Sequence, residues 1–582
     1  SNLPQMPITL KSPKKRSSAS SFSMKYVILL LIAAITAVVF FNVGYISKIV
    51  PNELMMNPMD KSSFQDGTKF LNTAPKQTNP PNQHAPDDHE VAGLNCDRFG
   101  GPSPEIAQEM VYWRDIPSDA KFVSPFAGYG PEKKYITFEP DEGGWNNIRM
   151  GLETVVALAH AMGRTLVLPP EQGIYLMRRE DAKKKNRFTF RDFFHFESIE
   201  KEHPGIEVIS MEEFLEREVK TGQFKDEYGK PMYPPDTVDT GNLDGHIRNG
   251  KEFWHWLRKS SKAPVWNFDE CVVGIPAQPG PGTETKLHDI FEEAVIRKFR
   301  NPNKYRDNPT HVNSGPALRL AEMLAYRTGI CQYSNKFQNS KVMHFMGDNA
   351  SGARLLVHFY AYLFFEDWKH DLISKRFIRD HLRYIDEIQC GAARVVNALR
   401  KISRDNGDPN GEFDSFHIRR GDFQYKNTRV EAEVIYKNMR HELVENSTVF
   451  IATDERNKSF FDPMRQHYHL YFLDDFNEEL LEVNKNYVGM LDQLIASRGR
   501  TFSGSFYSTF TNYINRVRGY HSQKLKLPGY ELGAINSYNY IPKEMKTFMK
   551  HYHSIQSPIW GQEFPVGWRD IDHDVDEASI IS

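Results

Sequence analysis

The stretch Phe413-Asp414-Ser415-Phe416-His417-Ile418-Arg419-Arg420-Gly421-Asp422-Phe423 begins as a strand and ends on two adjacent arginines. Two guanidiniums at the end of a buried strand are costly to desolvate unless an anion meets them. A diphosphate is the natural candidate. Arginine is permanently charged and binds two oxygens at once, and the carboxyl ends of strands in an open α/β sheet are where nucleotides bind. On this stretch alone, a surface salt bridge with Asp422 or Glu412 is the favoured reading. The neighbouring segments decide between the two.

Outward from this stretch the second half of the chain alternates between strand and helix patterns. Phe377 to Ile402 reads as a helix, Asp414 to Ile418 as a strand and Val430 to Val444 as a helix. Val449 to Thr453 is a strand ending on Asp454, and Leu470 to Leu473 another ending on Asp474-Asp475. Tyr487 to Ala496 places Met490, Leu491, Leu494 and Ile495 on one helical face, Arg500 to Ser503 is a strand, and Thr511 to Arg518 is a last helix. Polar motifs thus recur at the carboxyl ends of successive strands. Ser508 and Thr509 precede the last helix, where free backbone N–H groups and the positive end of the helix dipole favour an anion. An ordinary helix cap has the same residues. Gly499 and Gly504 are spaced as in a P-loop, but Ser505-Phe506 stands where Lys-Ser/Thr should follow, which argues against a P-loop NTPase.

The first half carries one clear unit. Lys134 to Phe138 reads as a strand, followed by the loop Glu139-Pro140-Asp141-Glu142-Gly143-Gly144-Trp145-Asn146-Asn147. A helix follows with Ile148, Leu152, Val155, Val156, Ala159 and Met162 in one stripe; Gly163 stops it, and Arg164 to Leu168 is the next strand. Paired glycines at such a junction let backbone approach a ligand, or simply make a tight turn. The segment 178–340 has patchy periodicity and is expected to supply helices and acceptor-facing loops.

Before these lies Tyr26 to Val43, an uncharged run just long enough to cross a hydrocarbon core of ~30 Å. Lys11, Lys14, Lys15, Arg16 and Lys25 precede it, which places the N-terminus in the cytosol. The run exceeds a usual signal-peptide core and Asn42-Val43-Gly44-Tyr45 is a poor cleavage site, so a signal anchor is favoured over a cleaved signal. A Pro/Asn/Gln-rich flexible stem follows. Cys96, Cys271, Cys331 and Cys390 all lie beyond the span without a CxxC pattern; they allow up to two disulfides of unknown pairing. Asn349-Ala350-Ser351, Asn446-Ser447-Thr448 and Asn457-Lys458-Ser459 are N-glycosylation sequons. The expected organisation is a cytosolic tail (1–25), a transmembrane anchor (26–43), a disordered stem (44–95), a first Rossmann-like domain with acceptor-side insertions (96–375), a second, donor-binding one (376–545) and an extension with an acidic tail (546–582). With 73 Lys+Arg against 75 Asp+Glu, no field recruits nucleic acid.

Together the motifs resemble the GDP-fucose O-fucosyltransferase superfamily. The matching pieces are Gly143-Gly144-Trp145-Asn146, His417-Ile418-Arg419-Arg420-Gly421-Asp422-Phe423, Phe450-Ile451-Ala452-Thr453-Asp454, Leu491-Asp492-Gln493, and Ser503-Gly504 with Ser508-Thr509-Phe510. The His-x-Arg-Arg-x-Asp-Phe and Ala-Thr-Asp forms look most like the enzymes that modify thrombospondin-type repeats. The resemblance implies an α/β fold of GT-B type, with two Rossmann-like domains facing a cleft, and an inverting, metal-independent transfer of L-fucose from GDP-fucose to a hydroxyl of a protein or glycan in the ER or Golgi. It implies that Arg419 holds the β-phosphate and that His417 and Asp454 contact ribose or guanine. Ser508, Thr509 and Phe510 would line the phosphate site, and Gly143, Gly144 and Asn146 would reach in from the first domain. Glu142 would be the general base, although the extra glycine sets it one residue farther from Asn146 than in the family; Asp141, or no enzymic base, are the alternatives. No cofactor or metal is expected. Other nucleotide sugars, and a non-catalytic sugar-binding protein, are the competing functions; loss of the phosphate-binding arginine would mark the latter, and Arg419 is present. A metal-dependent GT-A enzyme would use Asp570-Ile571-Asp572 or Asp574-Val575-Asp576, which instead read as a solvated tail.

Overall fold

In its first half the chain forms β1 (Tyr135–Phe138), β2 (Thr165–Leu168), β3 (Val208–Ser210), β4 (Cys271–Ile275), β5 (Gly329–Gln332), β6 (Val342–Phe345) and β7 (Leu363–Phe365). The second half adds β8 (Asp414–Ile418), β9 (Thr448–Thr453), β10 (His469–Tyr471), β11 (Phe502–Ser505), β12 (Ser537–Tyr540) and β13 (Met549–His551). The computed structural model describes residues 91–576 except 142, 175–176, 178–186, 235–249, 303–309, 348–358, 422, 541–548 and 552–562. The proposed anchor Tyr26 to Val43, the stem up to residue 90, Glu142, Asp422 and the Asn349 sequon therefore lie outside the described residues; the last five residues read as disordered stem, 91–95, are instead packed, with Val91 buried and its N–H donating to Glu202. Among those described, no helix is long and apolar enough to cross a membrane.

Two parallel sheets organise the molecule. In the first, the order is β3-β2-β1-β6; in the second it is β10-β9-β8-β11-β12-β13, parallel throughout except for the last pair. Each is built outward from its opening strand. β1 has β2 on one side and β6 on the other; β8 lies between β9 and β11. Chain connections leave in opposite directions from these strands, so a crevice opens at their carboxyl ends between β1 and β6 and between β8 and β11.

The helix Trp145–Met162 follows β1, and all six stripe residues are buried. Gly163 ends it with φ +58°, a left-handed cap that glycine adopts without penalty. The predicted strands at Lys134 to Phe138, Arg164 to Leu168, Asp414 to Ile418 and Val449 to Thr453 match β1, β2, β8 and β9 to within a residue.

Four readings are corrected. The continuous helix from Phe377 to Ile402 is two helices, Trp368–His381 and Asp386–Asp405. Between them Arg383 turns inward to donate to Val91 O and Asp386 Oδ1, and Tyr384 bridges to Phe194. The last strand starts later than read, so Gly504 and Ser505 belong to β11 rather than to the loop, and the last helix is longer, Thr509–Leu525. The segment expected to hold helices and loops contributes a small parallel sheet of order β5-β4-β7, whose β4 and β5 carry the disulfide Cys271–Cys331. The second disulfide joins Cys96 to Cys390.

The first part of the acidic tail, through Asp572, is packed rather than solvated, while Asp574 and Asp576 are exposed as expected. Arg376 Nε donates to Ile571 O, Arg379 pairs with Asp572 Oδ1 at 2.6 Å, and Trp568 and Ile571 are buried. Burial opposes ionisation of Asp572, but the guanidiniums of Arg379 and Arg114 outweigh it and hold its pKa below the usual carboxylate range. Arginines answer the charges of Asp570 and Asp572; among the described residues no group of three His, Cys, Asp or Glu side chains could hold a metal ion.

Candidate active site

The carboxyl end of β8 gathers most of the residues singled out above. Strand alternation turns successive side chains to opposite faces. His417 is 4% exposed; its Nδ1 lies 2.7 Å from Thr511 Oγ1, and its ring stacks on Phe510 with centroids 4.3 Å apart. Burial, with the adjacent Arg419 charge adding to it, pushes its pKa down to about 3, so the imidazole is neutral at physiological pH. A neutral ring tolerates a guanidinium beside it and retains both a donor and an acceptor.

Arg419 and Arg420 part company after the strand. The Arg419 backbone N–H donates to Ser505 Oγ at 2.9 Å, tying the arginine to the end of β11, and its guanidinium pairs with Asp454 Oδ2 at 2.7 Å while staying partly exposed. Arg420 points into a different setting: Nε donates to Glu455 Oε2 at 3.0 Å, Nη1 to Val430 O, and the guanidinium lies 3.9 Å from the Phe460 ring centroid.

Asp454, at the end of β9, organises the turn. Its two oxygens accept from the backbone N–H groups of Arg420 at 2.7 Å and Gly421 at 2.9 Å as well as from Arg419. Gly421 is required by that closeness, because a Cβ there would run into Asp454 Oδ2. Beside the expected contact to ribose or guanine, Asp454 fixes the Arg419 loop.

On the other side of β8, β11 leads through Phe506-Tyr507 to Ser508, the N-cap of the helix Thr509–Leu525. The Ser508 side chain makes no capping bond, so the first N–H groups of this long helix lack a side-chain partner at the cap. Tyr507 holds φ +64°, an unfavourable value for a non-glycine residue, and its ring lies among Phe506 and Tyr425.

The first half meets this region along the loop before the Trp145 helix. Asn146 Oδ1 accepts from Gln493 Nε2 at 2.7 Å, and Asn147 Oδ1 accepts from Thr509 Oγ1 at 3.1 Å. Trp145 Nε1 donates to Tyr384 OH, which donates to Gln493 Oε1. Gly143 and Gly144 shape the turn: the Gly143 N–H donates to Asp141 Oδ1 at 2.7 Å, and Gly144 is the helix N-cap.

Asn146, His417, Arg419, Asp454, Ser508, Thr509 and Phe510 are thus brought to one seam. Three residues without an assigned role join them. Ser505 links Arg419 to β11, Thr511 holds His417, and Gln493 bridges Asn146 and Phe510 O. Gln493 was within reach as the last residue of the Leu491-Asp492-Gln493 motif. Its neighbour Asp492 is buried, which pushes its carboxyl pKa well above the usual range.

A family model described as GDP-fucose protein O-fucosyltransferase matches residues 135–521. No curated protein matches the chain. Among solved structures, POFUT1 in complex with GDP-fucose is 16% identical over 67% of this chain and 96% of that one, with a TM-score of 0.30. The fucosyltransferase NodZ from Bradyrhizobium is 13% identical over 67% of this chain and 94% of that one, also with a TM-score of 0.30.

Proposed function

The chain belongs to the GDP-fucose protein O-fucosyltransferase family, and on that premise we propose that it transfers L-fucose from GDP-fucose to a hydroxyl acceptor, Ser or Thr of a protein, with inversion at the anomeric carbon. The two parallel sheets are the cores of two Rossmann-like domains of a GT-B enzyme, and the second holds the donor. The observation that carries the reading is the Arg419 guanidinium at the crevice between β8 and β11. It pairs with Asp454 while Ser505 holds the Arg419 backbone, and it is accompanied by the uncapped start of a long helix.

As the bond between fucose C1 and the β-phosphate oxygen breaks, negative charge grows on GDP. A guanidinium held in place by Asp454 meets it without reorganisation, and helix N–H groups add to it. Neutral His417 supplies hydrogen bonds to the nucleoside. The acceptor oxygen forms the new bond to C1 and gives up its proton to a base. Glu142 is that base in our reading. Glu139 is poorly suited: although burial resists its ionisation, Arg258 and His344 hold its pKa down to about 2, too low to accept a proton readily near neutrality.

Charge neutralisation by Arg419 and a helix terminus supports metal independence. The two disulfides support an oxidising compartment, in keeping with a type II protein of the ER or Golgi membrane with its catalytic part lumenal. The test is a screen of the fragment beginning near residue 85 against nucleotide sugars, scoring nucleotide release with and without EDTA. Release of GDP from GDP-fucose, undiminished by EDTA, is expected. Preference for another donor, or EDTA inhibition reversed by Mn²⁺, would reject the donor or the metal assignment respectively.

A further inference from the structure

The first sheet has a crevice of its own, bordering the Gly143-Gly144 turn that the donor reading uses. At the carboxyl ends of β1 and β6, where the connections diverge, lies a cavity of about 370 Å³. Glu139, Asp141, Gln172, Trp254, Arg258 and Gly347 are among its lining. The volume falls in the range of small-molecule sites, and the position is where open α/β sheets bind ligands.

Its walls are a built arrangement. Arg258 grips both Glu139 oxygens, with Nε to Oε1 at 2.6 Å. His344 Nε2 lies 2.9 Å from the same carboxylate, and His344 Nδ1 lies 2.9 Å from Thr137 Oγ1. Trp254 packs beside the His344 ring, with centroids 6.0 Å apart. Asp141 also accepts the Gly143 N–H, which joins the cavity to the loop that carries Asn146.

The charge balance selects the ligand. Glu139 pairs with Arg258 and Asp141 adds a second carboxylate, so no positive excess invites a second phosphate. The rim of carboxylates, amide and guanidinium disfavours a purely apolar guest. What fits is a neutral polyhydroxylated ring with one apolar face: hydroxyls bond the paired carboxylate and guanidinium, and C–H groups lie on the indole.

We propose that this cavity is an acceptor subsite that takes a neutral pyranose unit, so that the Ser or Thr hydroxyl offered for transfer lies beside a sugar already on the acceptor. The assignment rests on the fucosyl-transfer reading, because the Asp141–Asn147 loop is what connects the subsite to the seam where the donor is placed.

Saturation-transfer NMR with a panel of methyl pyranosides (glucoside, galactoside, mannoside, xyloside and N-acetylglucosaminide), recorded with saturating GDP, tests it. At least one glycoside should receive saturation and should not be displaced by GDP-fucose. Trp254→Ala and Gln172→Ala should each weaken that binding roughly tenfold, with GDP affinity by calorimetry unchanged. Gln172→Ala, a smaller change, serves if the tryptophan variant does not fold. Binding of no pyranoside, or binding indifferent to both substitutions, overturns the subsite. Displacement by GDP-fucose but not by GDP also overturns it, because the cavity would then hold the donor's own sugar. Failure to bind GDP would sink the donor reading alone, since the pyranoside signal is scored independently.

Discussion

Arg419 and Arg420 are chemically identical and adjacent, yet the turn after β8 gives them different work. Arg419 keeps its guanidinium at the crevice, supported by one carboxylate, whereas Arg420 is used up by Glu455, Val430 O and the Phe460 face. Replacing Arg419 by Lys keeps the charge but removes the two-point fork, so we expect kcat/KM to fall roughly 10²–10³-fold with little change in Tm. Arg420→Lys should do the reverse, lowering Tm while leaving most activity. Equal, small losses in both would make the pair a structural ion-pair site. At the same scale Glu142→Gln should lower kcat on the order of 10²–10⁴-fold while leaving GDP affinity nearly unchanged; a fully active variant would remove Glu142 from the mechanism. The motifs carrying Arg419, His417 and Asp454 were legible in sequence because each sits where a strand ends. The supporting parts played by Ser505 and Thr511 were not, since they depend on β11 lying beside β8, a pairing between residues more than eighty positions apart.

At the scale of elements, strands and helices with a strong apolar period were read correctly and those set by tertiary contacts were not. No local signal breaks the run from Phe377 to Ile402; the break comes from Arg383 reaching the carbonyls of Val91 and Gly93, nearly three hundred residues away. In the small sheet only the three-residue β7 is too short for a period to emerge. One element carries a pH signature. His160, on the Trp145–Met162 helix, stacks on Phe377 beside His203, with Phe122 and the rings of His370 and His381 close by. Burial first, and then the neighbouring histidines, push its pKa well below its ordinary value; burial likewise takes His203 and His370 down to about 4. A histidine that must stay neutral in the fold contributes stability above its unfolded pKa of about 6.5, and that contribution is lost as pH falls. Asp492 and Glu563, whose burial raises their pKa, work in the opposite sense. The comparison therefore has to be made against a variant: between pH 7 and 5, His160→Phe should lose less in Tm than the parent protein. An equal loss in both would discharge His160 from the pH response.

At the scale of the molecule the halves are joined by more than the seam at the site. Glu153 on the first half's long helix is fully buried between Arg149, at 2.5 Å, and Arg516 of the last helix, at 2.7 Å, and the Tyr513 ring lies under Arg149. Buried ion pairs of this kind are strongly destabilising to break from one side, which makes this join costly to open. Nothing in the local sequence of Trp145 to Met162 marks Glu153 as anything but a surface residue of an amphipathic helix. The disulfide Cys96–Cys390 adds a constraint in time. Its partners are 294 residues apart, and Cys271 and Cys331, only 60 apart, lie between them. At about 5–20 residues per second of synthesis, Cys96 waits on the order of 15–60 s as a free thiol while two wrong partners pass it. Order of emergence alone would favour pairing with Cys271. Because both partners of the short native bond exist before Cys390 is made, a pulse-chase resolved on non-reducing gels should show the Cys271–Cys331 bond before the Cys96–Cys390 bond, and Cys390→Ser should accumulate mispaired Cys96. If the long bond forms as early as the short one, the N-terminal segment must be shielded before its partner exists. The pairing written into the native fold is then also a requirement on how the chain is born.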